Sequence, residues 1–198
     1  MGDDHGAALE ERYYVYEKET VVVEDFDAVG HILDIGGGGE GIIGLLKGEQ
    51  VLAVDIRKGE LEEAPDGPLK LVADARELPL LDHAFGTATA FYSLMYLKTR
   101  EDLARVLAEA FRVLRPGGRL LLWESTIDRP RETDKDLYVL LFRVFVNERE
   151  INTGYGQPWP SEPHDSAFFV ALAEQAGFAL ASKREAGSQF FLEFRRPG

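Results

Sequence analysis

Four consecutive glycines in HILDIGGGGEGIIGLLKG, His31 to Gly48, constrain this chain more than any other stretch. A short apolar run ends in an acid, turns through Gly36, Gly37, Gly38 and Gly39, and enters a second apolar segment. That order reads as strand, tight loop and helix start. Glycine at such a turn permits positive φ and leaves no Cβ between backbone N–H groups and a ligand, while the helix start adds partial positive charge. The turn suits a nucleotide-like cofactor, but its spacing does not choose one. Gly36, Gly38 and Gly41 satisfy GxGxxG, whereas Gly37, Gly39 and Gly41 satisfy GxGxG. A dinucleotide, or a glycine turn that only joins a strand to a helix, both stay open at this point.

Apolar runs recur around this loop. Strands are predicted at residues 31–35, 50–54, 69–73, 85–91 and 119–123, with helical or turn-like stretches between them. This alternation argues a parallel sheet with right-handed crossovers. Leu103, Val106, Leu107, Ala110, Phe111 and Leu114 fall on one face of a helix over 99–114, started by Thr99 and stopped by Pro116-Gly117-Gly118. Beyond Glu124 the pattern changes. Residues 137–146 and 149–155 read as a projecting β-hairpin around Asn147-Glu148, with a helix over 137–146 as the competing reading. Residues 154–163 read as a loop, 167–176 as a short helix, and 178–185 with 189–195 as a strand pair turning at Gly187-Ser188. The opening residues to Asp27 lack a single period, and either a flap over the glycine loop or an edge segment fits them.

At 198 residues the chain suits one domain, 1–198, with an N-terminal segment at 1–28 and an insertion or cap at 128–163. No apolar run approaches the ~20 residues of a membrane span, and the acidic first residues lack a basic, then apolar, leader. A cytoplasmic protein without membrane contact is expected. The chain has no cysteine, which excludes disulfides, thiolate metal sites and a cysteine nucleophile. Four histidines without HxxxH or HxH spacing predict no metal site. A net charge of −13 disfavours nucleic acid as partner. The apolar run at 137–146 would serve a homodimer as readily as a substrate lid.

Three acids fall at the carboxyl ends of three successive predicted strands: Asp34 before the glycines, Asp55 after the next strand, and Asp74 in VADARELPL. Asp34 can accept from a cationic amino group, Asp55 from both hydroxyls of a ribose, and Asp74 from an exocyclic amine such as that of adenine. Any one of them reads equally well as a helix or turn cap. Jointly they surround the crevice where open α/β sheets bind ligands, and a ligand carrying a sulfonium and an ammonium suits them better than a pyrophosphate.

The ordered series ILDIGGGGEG, VLAVDIR, VADARELPL with AFGTATAFYSLMYL, and AFRVLRPGGRLLLWE resembles the consecutive motifs of class I S-adenosylmethionine-dependent methyltransferases, over residues 32–124. The resemblance implies an α/β fold with a doubly wound, mostly parallel seven-stranded sheet and an antiparallel C-terminal strand pair. It also implies S-adenosylmethionine as cofactor. Asp34 and the backbone of Gly36, Gly37 and Gly38 would face its methionine moiety, and Asp55 would hold the ribose. Ile56 would flank the adenine, Asp74 and Ala75 would meet its edge, and Ala90 and Phe91 would line the floor beside the sulfonium. The loop carries one residue more than DxGxGxG, so the third glycine is either replaced by Glu40 or shifted to Gly41.

The acceptor side is less marked. The predicted strand ending Ala90-Phe91-Tyr92-Ser93 lacks the Asn/Asp-Pro-Pro-Tyr/Phe of enzymes acting on adenine or glutamine nitrogen, so a small-molecule acceptor is expected. Tyr92, Tyr96, Tyr155 and Trp159 are candidates for its pocket, against a plain packing role. His164, beside Asp165, and Glu124 are candidates for a base if the acceptor must lose a proton, although Pro163-His164-Asp165 also reads as the start of a helix. A methyltransferase-fold protein that binds the cofactor without turnover, and an NAD(P)-binding enzyme, are the alternatives.

Overall fold

The computed structural model describes residues 12–198, so the acidic start of the 1–28 segment lies outside the described residues. Contacts divide the chain into two compact units. The larger holds Phe26–Thr126 and His164–Gly198, and the smaller holds the described residues up to Asp25 with Ile127–Pro163. The stretch at 128–163, read from the sequence as an insertion, therefore falls in one unit with the N-terminal segment.

In chain order the strands are β1 (Tyr13–Val15), β2 (Glu19–Val23), β3 (Ile32–Ile35), β4 (Val51–Asp55), β5 (Leu69–Val72), β6 (Phe85–Phe91), β7 (Leu114–Ser125), β8 (Leu137–Val146), β9 (Arg149–Pro158), β10 (Ala179–Ala186) and β11 (Gln189–Arg195). The helices are α1 (Ile42–Lys47), α2 (Lys58–Glu63), α3 (Arg100–Val113) and α4 (Ser166–Gln175). None of the helices among the described residues is long and apolar enough to cross a membrane.

The larger unit is built on seven strands in the order β10-β11-β7-β6-β3-β4-β5. The strands β3 to β7 are parallel, and β11 runs antiparallel to both β7 and β10. This is the doubly wound, mostly parallel sheet with an antiparallel C-terminal pair. All four residues of β3 are buried, as a central strand covered on both faces requires. From β3 the chain winds outward through β4 and β5, then returns to the other side of β3 as β6. The direction reverses between β3 and β6, and the crevice at the carboxyl ends of these strands is where such sheets take ligands.

The amphipathic α3 lays Leu103, Val106, Leu107, Ala110 and Val113 against the core, and Thr99 Oγ1 caps it by accepting from Asp102 N at 3.1 Å. Asp165 caps α4 in the same way, its Oδ1 accepting from Phe168 N at 2.7 Å. Strand β7 begins at Leu114, earlier than its apolar residues indicate. Backbone bonds from Gly117 N to Arg196 O (2.9 Å) and from Arg196 N to Gly118 O (2.8 Å) extend its pairing through the glycine turn, which Gly117 makes at φ +76°.

In the smaller unit β8 is the central strand. It pairs with β9 along its whole length, from Leu137↔Pro158 to Val146↔Arg149, so the hairpin holds and the helical alternative does not. Asn147 makes the turn at φ +52°. On its other edge β8 takes β1 and then β2, both parallel, so residues 12–23 act as an edge segment. The loop expected over 154–163 is corrected: the first part of it is strand, to Pro158. Gly154 and Gly156 sit there because the sheet crowds them. A Cβ on Gly154 would stand 2.9 Å from Leu141 Cδ2, and one on Gly156 would stand 3.3 Å from Tyr13 Cε1. Tyr138, Val139, Leu140, Phe142, Val144 and Val146 are each at most 6% exposed.

Candidate cofactor and acceptor site

The glycine loop leaves β3 at Ile35 and enters α1 at Ile42, with Gly41 in the left-handed region as the residue before the helix. Its glycines are demanded by neighbours. A Cβ on Gly36 would stand 2.4 Å from Ser93 Cβ, one on Gly37 would stand 2.5 Å from Asp34 Oδ2, and one on Gly38 would stand 2.5 Å from Glu60 Cβ and 2.9 Å from Asp55 Oδ2. Gly39 (φ +59°) and Gly41 (φ +53°) need the left-handed region instead, and Glu40 lies between them. Gly41 is thus the glycine from which the chain enters α1. Most of the loop's N–H groups are already used. Gly36 N and Gly37 N donate to Val54 O (2.8 and 3.1 Å), Gly39 N to Glu60 O (2.8 Å), and Gly41 N to Gly38 O (3.2 Å).

The three acids gather at this end of the sheet in different states. Asp34 is 2% exposed and accepts from Thr89 Oγ1 at 2.7 Å. Burial pushes its pKa up to about 7 against the Thr89 hydrogen bond, with the Asp55 charge adding to the rise. Asp55 is half-buried at the end of β4. Its Oδ1 accepts from Arg57 N at 2.8 Å, and its Oδ2 stands beside Gly38 with no hydrogen bond among the described residues. Asp74 follows β5 and is engaged by Arg76, whose side chain holds its pKa below the usual carboxylate range. Ile56 is 59% exposed next to Asp55, and Ala75 is half-buried between Asp74 and Arg76.

A second turn, after β6, closes on the loop. Tyr92 takes φ +46° and its N–H donates to Trp123 O at 2.9 Å. Ser93 Oγ donates to Ile35 O at 2.6 Å, tying this turn to the end of β3. Glu124, near the end of β7, is fully buried; its Oε1 accepts from Leu94 N at 2.8 Å, Met95 N also donates to the carboxyl group, and Oε2 has no partner among the described residues. Burial outweighs those two hydrogen bonds and pushes the Glu124 pKa up to about 8. Tyr96 ends this turn with Arg57 5.6 Å over its ring, and burial raises its phenol to about 12. Because β3 lies between β4 and β6, the Arg57–Tyr96 pair reaches across the end of the strand that carries the glycine loop.

The remaining expected residues have the following surroundings. Ala90 is fully buried in the sheet interior, opposite Ile35 and Leu122, and the Phe91 ring, 9% exposed, packs on Tyr92 and Trp123. His164 is 3% exposed and stacks on Phe168 at 4.7 Å, while Asp165 caps α4. Tyr155 and Trp159 belong to the smaller unit, where Tyr155 packs on Phe142 and Trp159 joins Tyr14, Tyr16 and Tyr138, its Nε1 donating to Lys135 O at 2.8 Å. The sequence reading did not single out Thr89, Ser93, Arg57, Glu60 or Arg76. Of these only Arg57 and Arg76 carried a signal, each standing two residues beyond a strand-end aspartate.

The family model described as methyltransferase domain matches residues 33–122. A 27-O-demethylrifamycin SV methyltransferase of Amycolatopsis mediterranei is 34% identical over 162 residues, covering 70% of this chain and 58% of that protein. A ubiquinone/menaquinone biosynthesis C-methyltransferase, UbiE, of Desulfotalea psychrophila is 35% identical over 106 residues, 49% of this chain and 42% of that protein. The chain thus spans about half the length of the curated relatives it matches. In fold it is similar to a SAM-dependent methyltransferase of Methanosarcina mazei, with TM-score 0.63, 19% identity, and coverage of 87% of this chain and 94% of that one. Together with the sheet order, these likenesses show a class I methyltransferase-like fold, in which residues 33–122 match the methyltransferase domain model.

Proposed function

We propose that the protein transfers a methyl group from S-adenosylmethionine to a small-molecule acceptor in the cytoplasm. The observation that carries this reading is Asp55 Oδ2, which takes no hydrogen bond among the described residues and stands 2.9 Å from where a Gly38 Cβ would lie, in a loop where the N–H groups of Gly36, Gly37, Gly39 and Gly41 are spent on protein carbonyls. An open carboxylate oxygen accepts from ribose hydroxyls. A pyrophosphate would need the N–H groups that Val54, Glu60 and Gly38 already take, which argues against a dinucleotide.

The residues present fit the cofactor. The backbone of Gly36, Gly37 and Gly38 would lie along it, with Asp34 beneath the loop and Asp55 on the ribose. Ile56, whose side chain is exposed, would cover the adenine, and Ala75 would meet its edge. S-adenosylmethionine supplies an electrophilic methyl group whose leaving thioether is neutral and needs no acid. The chain's own part is alignment and exclusion of water. Tyr96 and Arg57 close over the end of β3, and the Ser93 bond to Ile35 O fixes the two turns against each other. Asp34, with its pKa near neutrality, gains charge when a cation approaches. Neither Glu124, fully buried, nor His164, 3% exposed, stands open to take a proton from an acceptor. We therefore read the reaction as one without a protein base.

The net charge of −13 and relatives named for a rifamycin derivative and for ubiquinone and menaquinone biosynthesis support a small acceptor over a nucleic acid. The test is incubation of the protein with methyl-labelled S-adenosylmethionine and panels of phenols, quinone precursors, amines and carboxylates. Label transfer to one class is expected. Tight binding without transfer to any class would favour the non-catalytic binder, and stabilisation by NAD but not by S-adenosylmethionine would overturn the reading.

A further inference from the structure

Asp74 was expected to read the amino group of an adenine, and the structure gives its carboxylate another partner. Residues Asp74 to Glu77 form a turn closed by Glu77 N donating to Asp74 O at 3.0 Å. Inside it Asp74 Oδ1 accepts from Arg76 N at 2.9 Å and from Arg76 Nε at 3.0 Å, and Oδ2 accepts from Nε at 3.1 Å and from Nη2 at 2.7 Å. The far side of the guanidinium is held as well, Nη1 donating to Asp102 Oδ1 at 2.9 Å in the first turn of α3. Arg76 is thus fixed between two carboxylates, on β5's exit and on a helix that packs against the sheet.

We infer that Arg76 takes the place an adenine amino group would occupy on Asp74, so that this chain does not read the exocyclic amine of its cofactor and accepts substitution there. The inference rests on the cofactor reading above. A planar guanidinium meets the carboxylate through two nitrogens with charge on both partners, whereas an amine would bring one neutral N–H to the same carboxylate. An amine that displaced it would also strip Arg76 of half its partners, because Asp102 keeps hold of the other half. The carboxylate has few acceptor positions left, since both oxygens already take two donors each. Asp74 and Asp102 are both held below the usual carboxylate range by Arg76, so the three groups stay charged together at neutral pH. Recognition of the base is then left to the backbone of Ala75 and to the exposed face of Ile56.

The test compares S-adenosylhomocysteine with its N6-methyl analogue by calorimetric titration of the full chain. Wild-type protein should bind the two within about threefold of each other, because no strong acceptor faces the amine. Arg76→Met, which frees Asp74, should prefer the unmethylated compound by about tenfold or more. Asp102→Asn, which loosens Arg76 without touching Asp74, should fall between them and guards against a folding defect in the first variant. A wild-type preference of about tenfold that neither variant changes would overturn the inference while leaving the cofactor reading intact. Failure of both compounds to bind wild-type protein would overturn the cofactor reading, and this inference with it.

Discussion

Gly36 and Ser93 are pressed together: a Cβ on Gly36, which has φ +72°, would stand 2.4 Å from the Ser93 Cβ. One residue opens the glycine loop and the other follows β6, and the Ser93 Oγ bond to Ile35 O at 2.6 Å locks the pair. Gly36→Ala combines left-handed strain with an overlap that neither turn can relieve alone. A loss of about 3 kcal/mol in stability is expected, read as a lower urea midpoint. Adding Ser93→Gly should recover part of it, because the overlap is then gone and only the strain remains. Equal stability of Gly36→Ala and wild type would show that the two turns are independent.

Asp55→Asn separates the two oxygens of that carboxylate. The asparagine oxygen can still accept from Arg57 N, which preserves the turn after β4, but its NH₂ replaces the acceptor that now stands open beside Gly38. Titration with S-adenosylhomocysteine should show affinity lowered by about 1.5 to 3 kcal/mol, with the thermal midpoint of the unliganded protein little changed. Unaltered affinity would place the ribose elsewhere.

The sheet was legible because most of its strands are apolar runs separated by helical or turn-like stretches, and the strand-end acids follow from that frame. What escaped is tertiary. The Arg76 tie to Asp102 and the Glu124 tie to Leu94 join segments 26 and 30 residues apart, and no local period marks them. The N-terminal strands meet β8 across more than a hundred residues, Tyr13 opposite Leu137, which left their segment without a reading of its own. Gly154 and Gly156 misled for a different reason. Glycine was read as a turn former, whereas here it makes room for Leu141 and Tyr13 on a paired strand. The Asp165 cap was visible in the sequence, and it also explains why His164 looked catalytic: an acid beside a histidine suggests a dyad, but this carboxylate faces the helix.

Asp165→Ala tests that last point. Losing the bond to Phe168 N should cost about 1 kcal/mol of stability. Cofactor affinity should stay unchanged, since α4 carries none of the residues proposed to hold the cofactor. A fall in methyl transfer without a fall in stability would instead place Asp165 and His164 in the chemistry.

The buried Glu124 gives a pH dependence whose sign can be worked out. Its ordinary pKa is 4.5, and burial raises the folded value to about 8. Between these values the unfolded chain has lost the proton and the folded chain has kept it, so stability falls as pH rises through the window and levels off above it. Asp34, raised to about 7, contributes in the same direction. Glu124→Gln keeps an oxygen for Leu94 N and carries no charge. At pH 5 the variant should lie nearest to wild type, because both hold a neutral group, the acid leaving one O–H donor unpaired and the amide two N–H donors. Above that the wild type must bury a charge or retain a proton against the solvent, and the variant need not. The difference should open in favour of Gln by up to about 1.4 kcal/mol per pH unit across the window, leaving the slope due to Asp34 in place. Urea midpoints at pH 5, 7 and 9 measure it. Parallel curves for the two proteins would mean that the Glu124 carboxyl ionises freely in the fold, and that the Leu94 and Met95 amides, not burial, set its pKa.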